Sequence, residues 1–181
     1  MNLSIQDDLW WGARLRLQSW AGYQSRQGPY TSLDKPEPSD GTVRLIFAPE
    51  GRGLDPLSAQ ELQLISWFEH NEPSVSQAVK QSIIRWCSPD SAARTNEFDF
   101  GDDFHDIKTE QDLKRCIGLY SVNIHQVDHG CVPYIGFEFG CEWEEEHGLG
   151  VLMHGTRCVQ IGQADVAFTL WRVDKDVQLG G

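Results

Sequence analysis

Residues 119–162 read LYSVNIHQVDHGCVPYIGFEFGCEWEEEHGLGVLMHGTRCVQIG, and this stretch decides the fold. Within it lie four short runs rich in apolar, β-branched and aromatic residues, at 119–127, 132–139, 148–154 and 157–162. The first run alternates apolar and polar positions, the period expected of a strand with one buried face. Between the last two runs, Gly155-Thr156 is typical of a tight hairpin turn. The stretch therefore predicts an antiparallel meander, which residues 164–171 close with a further strand.

Upstream of the meander, helical spacing replaces the alternation. Ser58 and Glu61 have the spacing of a capping box, and apolar residues follow at helical intervals. Asn71 and Pro73 predict that this helix breaks and that a second one begins, ending before residue 89. A second capping box at 109–112 predicts a short third helix, and the last ten residues are expected to fray.

Strands are also predicted at 10–18 and 42–49, with loops at 22–41 and 88–108. The order of strands, helices and strands indicates an α+β fold, with a mostly antiparallel sheet and two to three helices packed on one face. A length of 181 residues fits a single domain over 1–181, with its core at about 10–171.

The charge is large and unevenly distributed. The formal net charge is −12, and residues 90–147 contain fourteen acidic and only four basic residues. Such a field repels nucleic acid and anionic lipid and attracts basic proteins or cations. We therefore expect a basic protein as partner and neither nucleic acid nor a membrane, although solubility alone also explains an acidic surface.

The cysteines and the N-terminus indicate a compartment. The five cysteines are odd in number and form no CxxC pair, which favours free thiols. The N-terminus MNLSIQDDLWW has acidic residues where a signal peptide has basic ones, and no apolar run is long enough to cross a membrane. We expect a cytoplasmic protein.

The most distinctive segment is Cys141-Glu-Trp-Glu-Glu-Glu-His147-Gly-Leu-Gly-Val151, predicted to be a loop between two strands. Its carboxylates and imidazole allow a divalent cation site, or water activation by Glu146 and His147. Adjacent residues of an extended chain point in different directions, however, and neither HExxH nor an EF-hand loop is present. A structural turn is the third interpretation, with Gly148 at positive φ. The residues at issue, structural or catalytic, are Cys141, Trp143, Glu145, Glu146, His147 and Gly148.

A second segment combines acidic and aromatic residues, Glu97-Phe-Asp-Phe-Gly-Asp-Asp-Phe-His-Asp106. Acidic side chains steer a basic partner, and buried aromatic residues hold a complex together. A solvated loop and a Ca²⁺ site are the alternatives, although the order is not that of an EF-hand. The predicted partner-binding residues are Glu97, Asp99, Phe100, Asp102, Asp103, Phe104 and Asp106, with Glu142 and Glu144 from the distinctive segment.

A third group contains His125, Asp128, His129 and Cys131. Histidine and cysteine together can indicate zinc or a nucleophile, but this spacing fits no zinc pattern. Because no ligand set has usable spacing, we expect no metal, cofactor or catalytic residue.

The segment from Cys141 to Val151 resembles a family of uncharacterised bacterial proteins that share a Cys-x-Trp-acid-x-Glu-His-Gly-Leu-Gly-Val core. The resemblance extends over about residues 42–168, including Tyr134-Ile-Gly-Phe137 and Val159–Asp165. The family is a domain of unknown function and implies no catalytic residues. Proteins of this kind resemble immunity proteins of bacterial toxin systems in size, acidity and architecture.

The leading interpretation is a non-enzymatic acidic binding protein, an immunity protein that neutralises a basic toxin domain. The alternative is a metal-dependent or hydrolytic enzyme that uses Glu145, Glu146 and His147. A structural or regulatory subunit is the third interpretation.

Overall fold

The computed structural model describes residues 3–7, 9–26, 33–35, 37–88 and 107–180. The strands are β1 (Ser4–Gln6), β2 (Trp10–Arg16), β3 (Ser25–Arg26), β4 (Leu33–Lys35), β5 (Thr42–Phe47), β6 (Ile117–His129), β7 (Val132–Cys141), β8 (Glu144–His154) and β9 (Arg157–Gly162). The helices are α1 (Ala59–Cys87), α2 (Glu110–Cys116) and α3 (Leu170–Gln178). None of the described helices is long and apolar enough to cross a membrane.

Seven of the strands form one sheet in the order β1-β2-β5-β6-β7-β8-β9. Every neighbouring pair is antiparallel except β5 and β6, which are parallel because α1 and α2 connect them. The meander from β6 to β9 is confirmed, and its last turn contains Gly155 at φ 57°. The α+β class with a mostly antiparallel sheet is likewise confirmed.

The main core lies between the sheet and α1. Ile124, Phe137 and Val151 from the sheet and Phe68 and Val79 from α1 are all fully buried there. Leu113 brings α2 into the same core, so two helices share this face, as predicted. Both predicted capping boxes are present, at Ser58–Glu61 and Thr109–Asp112.

Helix α1 is continuous, so the predicted break at Asn71 and Pro73 is wrong. The Asn71 side chain donates to the Trp67 carbonyl at 2.8 Å and therefore does not act as an N-cap. Burial on both sides of the proline outweighs its helix-breaking tendency. Phe68 packs on Phe137 before it, and Ser76 accepts the indole N–H of the buried Trp20 after it, at 2.8 Å.

Replacing the exposed Pro73 by alanine is expected to raise the free energy of unfolding by about 1–2 kcal/mol. Proline has no N–H for the helix and costs about 3 kcal/mol there relative to alanine, which its stiffening of the unfolded chain only partly offsets. Urea denaturation measures the change. Equal or lower stability of Pro73→Ala means that the helix bends at residue 73 in a way that the sheet requires.

The predicted strand at 164–171 is also wrong. Residues Ala164–Ala167 form a 3-10 turn, and α3 follows directly. The turn lies on the opposite face of the sheet, over Gly136 and Gly150, where the absence of side chains admits its backbone. The predicted fraying of the last ten residues is also wrong, because Val173 of α3 is fully buried against Tyr134 and Leu152.

The predicted loop at 22–41 contains secondary structure. Strands β3 and β4 pair there as a small second sheet. Strand β3 lies over Gly118 of β6, where a side chain would overlap the carbonyl oxygen of Gln24. This contact places the residues of β3 above the N-terminal half of β6.

Candidate functional site

The distinctive segment is a tight hairpin and not an open loop. Strand β7 ends at Cys141, Glu142 and Trp143 form the turn, and β8 begins at Glu144. Burial raises the pKa of the Cys141 thiol to about 12, which keeps the thiol protonated. Trp143 is half-buried against the core. Cys141 and Trp143 therefore hold the turn on the body of the protein.

Gly148 has the positive φ that the sequence predicts, at 62°. A side chain there would also approach the Phe139 carbonyl oxygen to 2.5 Å. The left-handed backbone and the close strand contact both require glycine. Gly148 has a structural role.

Three polar residues of the hairpin form hydrogen bonds within it or to its neighbours, namely Glu142, Glu144 and His147. The Glu144 carboxylate accepts the His147 backbone N–H at 3.2 Å and lies 3.1 Å from its Nδ1. Glu142 accepts from the Gln24 side-chain amide at 2.6 Å. His147 thus bonds to a carboxylate of its own hairpin.

Glu145 and Glu146 are exposed and occupy consecutive positions of strand β8. They lie between the pairs Cys141–Glu144 and Phe139–Leu149, where the register between β7 and β8 shifts. Neither carboxylate forms an ion pair with a described basic residue. Among the described residues, no group of three or more His, Cys, Asp or Glu side chains is placed to hold a metal ion.

The segment 97–106 lies outside the described residues. The predicted partner-binding residues Glu97, Asp99, Phe100, Asp102, Asp103, Phe104 and Asp106 therefore stay predictions. Glu142 and Glu144 are described, and both lie on the hairpin.

The third group of residues does not form one site. His125 is buried on β6, where its Nε2 lies 3.2 Å from the Ala167 carbonyl oxygen. Asp128 accepts the Cys131 backbone N–H at 2.9 Å and the Gln60 amide at 3.2 Å. His129 and Cys131 are exposed at the β6–β7 turn. The spatial arrangement separates His125 from the other three.

The structure also contains a pocket that the sequence did not predict. It has a volume of about 120 Å³ and lies where β3 and the chain before β5 meet the sheet. Three arginines line it, Arg14, Arg26 and Arg44, together with Tyr120, Ser25, Ser39 and Thr42. Three cationic groups thus converge in a protein whose net charge is −12.

The sheet register explains why the arginines meet. Arg14 of β2 is directly opposite Arg44 of β5, Arg44 opposite Ser121 of β6, and Ser121 opposite Glu138 of β7. Directly opposed residues share a face of the sheet. The four side chains therefore form a row, with the two arginines at the pocket end.

Arg44 has polar neighbours, but no carboxylate forms an ion pair with its positive charge among the described residues. Its guanidinium donates to the Tyr120 hydroxyl at 3.3 Å and lies 5.6 Å from the centre of that ring. Burial raises the pKa of Glu138, although its hydrogen bond from Ser121 and the positive charge of Arg44 act in the opposite direction. Within the part of the chain that the structure describes, no carboxylate forms an ion pair with Arg14, Arg26 or Arg44.

Arg26 is held in place from behind. It is only 5% exposed, and its Nε donates to the Gln24 side-chain oxygen at 2.7 Å. Gln24 in turn donates to Glu142 of the hairpin. A chain of hydrogen bonds thus links the acidic hairpin to the basic pocket.

Together these features define an α+β protein with an acidic hairpin and a preformed basic pocket. The chain belongs to the family described as Domain of unknown function (DUF6985), whose model matches residues 13–168. The resemblance to an uncharacterised domain family is thereby confirmed, and the match begins nearer the N-terminus than residue 42. No curated protein and no solved structure matches the chain. The family signature at Cys141–Val151 and the likeness to immunity proteins stay predictions.

Proposed function

We propose that this chain is a non-enzymatic acidic binding protein whose partner is a basic protein, as in an immunity protein that neutralises a basic bacterial toxin domain. The observation that carries the proposal is the exposed acidic hairpin. Glu142, Glu145 and Glu146 form no ion pair with any described basic residue, so their charge faces solvent. Uncompensated charge of one sign attracts the opposite sign and speeds the encounter.

The anchoring of the hairpin at its base supports a binding role. Cys141, Leu149 and Gly150 below the turn are fully or nearly fully buried, and Gly148 fixes the backbone. A hairpin whose base is anchored in the core loses less conformational freedom when a partner binds than a free loop does. The segment 97–106 supplies further acids and three phenylalanines, which we propose as the apolar part of the same interface.

The geometry favours binding over hydrolysis by Glu145, Glu146 and His147. His147 is paired with Glu144, and not with Glu145 or Glu146, within an exposed hairpin. A general base needs a substrate position within hydrogen-bond reach, in a site that excludes water. The basic pocket is lined by none of these three residues.

We also propose a cytoplasmic location. All five cysteines are free thiols, including the exposed Cys131. Free thiols persist in reducing compartments. Detection of the protein in an oxidising compartment, with these cysteines paired, contradicts this location.

The double substitution Glu145→Gln/Glu146→Gln is expected to lower the association rate for the partner several-fold at low salt. The off-rate changes little, because rim charges act mainly on encounter. The partner is sought as the product of a neighbouring gene or by pull-down, and stopped-flow mixing at two salt concentrations gives the rates.

The matched control is Asp55→Asn/Asp174→Asn, which removes the same charge from two exposed acids elsewhere. If the control slows association as much as the hairpin variant, only the net charge matters and the hairpin is not the interface. Salt-independent association of the wild type contradicts electrostatic steering altogether.

A further inference from the structure

The basic pocket is preformed and has a charge opposite to that of the whole protein. Arg14, Arg26 and Arg44 line it without an ion pair to any carboxylate in the described ranges, although the chain carries twelve excess negative charges. Like charges directly opposed on neighbouring strands, such as Arg14 and Arg44, destabilise a sheet. An anion that binds between them relieves this repulsion.

The donors of the pocket fit an oxyanion with several oxygens. Each guanidinium presents a planar fork of N–H groups that matches phosphate or carboxylate geometry. The Tyr120 hydroxyl accepts from Arg44, which leaves its own O–H available as a donor. Ser25 and Thr42 add further hydroxyls at the wall. This number of donors exceeds what the two oxygens of a carboxylate can accept.

The size of the pocket sets a second limit. A single water needs roughly 10–15 Å³ of such space, and the pocket offers about 120 Å³. A phosphate group therefore fits within the pocket. Arg14 is exposed at the rim, so a group esterified to the phosphate can extend into solvent.

The arginine at the back of the pocket is held in position before any ligand arrives. Arg26 is buried and its Nε is fixed by Gln24, which Glu142 holds in turn. Gly118 admits β3 closely enough for the Arg26 stem to lie against β6. Groups fixed in the binding geometry cost little entropy on association.

We propose that this pocket binds the phosphate group of a small phosphate monoester through Arg14, Arg26 and Arg44. A phosphate monoester carries about −1.5 to −2 charges at neutral pH and presents three acceptor oxygens. This charge offsets about half to two thirds of that of the three arginines. The site is separate from the acidic hairpin surface proposed for the protein partner and does not depend on that function.

Isothermal titration tests the proposal with inorganic phosphate, glycerol phosphate and acetate as probes, at constant ionic strength in chloride. Phosphate and glycerol phosphate are expected to bind one per chain, and acetate to bind at least about tenfold more weakly because it offers fewer acceptors and less charge. Saturation by inorganic phosphate with no binding of glycerol phosphate contradicts the monoester and assigns the free ion. Equal affinity for acetate, or no binding of any probe, overturns the proposal.

The substitution Arg44→Gln is expected to weaken phosphate binding at least about tenfold, the effect of losing hydrogen bonds from a charged group. Arg14→Gln removes an exposed side chain that bonds to no other described residue, so it tests the site without endangering the fold. It is expected to weaken binding several-fold, while the melting temperature in phosphate-free buffer stays equal to that of the wild type or rises.

The matched control is Arg85→Gln, which removes an equal charge from the exposed face of α1. It is expected to bind phosphate with wild-type affinity. If Arg85→Gln weakens binding as much as Arg14→Gln and Arg44→Gln, the anion senses only the net charge of the protein, and the pocket is not its site.

Discussion

Replacing Gly136 by alanine is expected to lower the free energy of unfolding by about 3 kcal/mol or more, at the upper end of the cost of overpacking a core. A Cβ at this position of β7 overlaps the carbonyl oxygen and Cα of Ala167. These are backbone atoms, so no side-chain rotation relieves the overlap. The 3-10 turn must move away from the sheet, and it carries α3 and the buried Val173 with it.

Urea denaturation of Gly136→Ala and wild type measures this effect. The control is Gly53→Ala, because a Cβ at Gly53 meets no atom within 4 Å. Its stability is expected to lie within about 0.5 kcal/mol of the wild type, as for most surface changes. If Gly136→Ala is as stable as Gly53→Ala, the turn does not pack on β7 as closely as the structure indicates.

Local patterns were sufficient for the elements whose causes are local. The meander follows from short apolar runs and turn glycines between residues 119 and 162, and each capping box needs only four consecutive residues. In these cases the interactions that fix the backbone lie within a few residues of each other.

The wrong predictions concern segments whose secondary structure depends on contacts with residues far away in the sequence. Pro73 favours a break locally, but Phe68 and Ser76 on either side of it are fixed by partners on the sheet and in the N-terminal segment. Residues 164–171 have a strand-like composition, and Gly136 and Gly150 on two other strands explain why a 3-10 turn packs there. Local sequence patterns do not show on which surface of the sheet α1 or residues 164–171 pack.

The basic pocket was missed for the same reason. Arg14, Arg26 and Arg44 are scattered through the N-terminal part of the chain, and none is part of a motif. Alternation does place Arg14 and Arg44 on the outward faces of β2 and β5. Their direct opposition, however, depends on the register between two strands separated by a long connection. The sequence predicts both strands. Pairing them with each other in the correct register would have been needed to bring Arg14 and Arg44 together.

The free energy of unfolding is expected to fall by about 3 kcal/mol between pH 6.5 and pH 4 through His125 alone. This amount is the free-energy equivalent of the change in the pKa of His125 on folding. Burial lowers the pKa of His125 from 6.5 to about 4, although the Ala167 carbonyl and the charge of Glu50 act in the opposite direction. Protonation also adds a donor at Nδ1, which has no hydrogen-bond partner among the described residues.

The direction follows from proton binding in the two states. Between pH 6.5 and 4 the unfolded chain takes up a proton at residue 125 that the folded protein does not, so lower pH favours unfolding. Below about pH 4 both states are protonated and the loss is complete. Glu138 has the opposite tendency, because burial raises its pKa and the folded state retains that proton more strongly. Glu138 therefore offsets part of the His125 effect in the wild type.

A comparison with His125→Gln isolates the histidine. Glutamine does not titrate, its amide can still donate to the Ala167 carbonyl, and Glu138 is present in both proteins. The difference in unfolding free energy, wild type minus variant, is expected to decrease by about 3 kcal/mol as pH falls from 7 to 4. Parallel pH profiles for the two proteins would mean that His125 is protonated in the folded state. In that case water reaches His125 between the 3-10 turn and β6, contrary to the complete burial of this side chain.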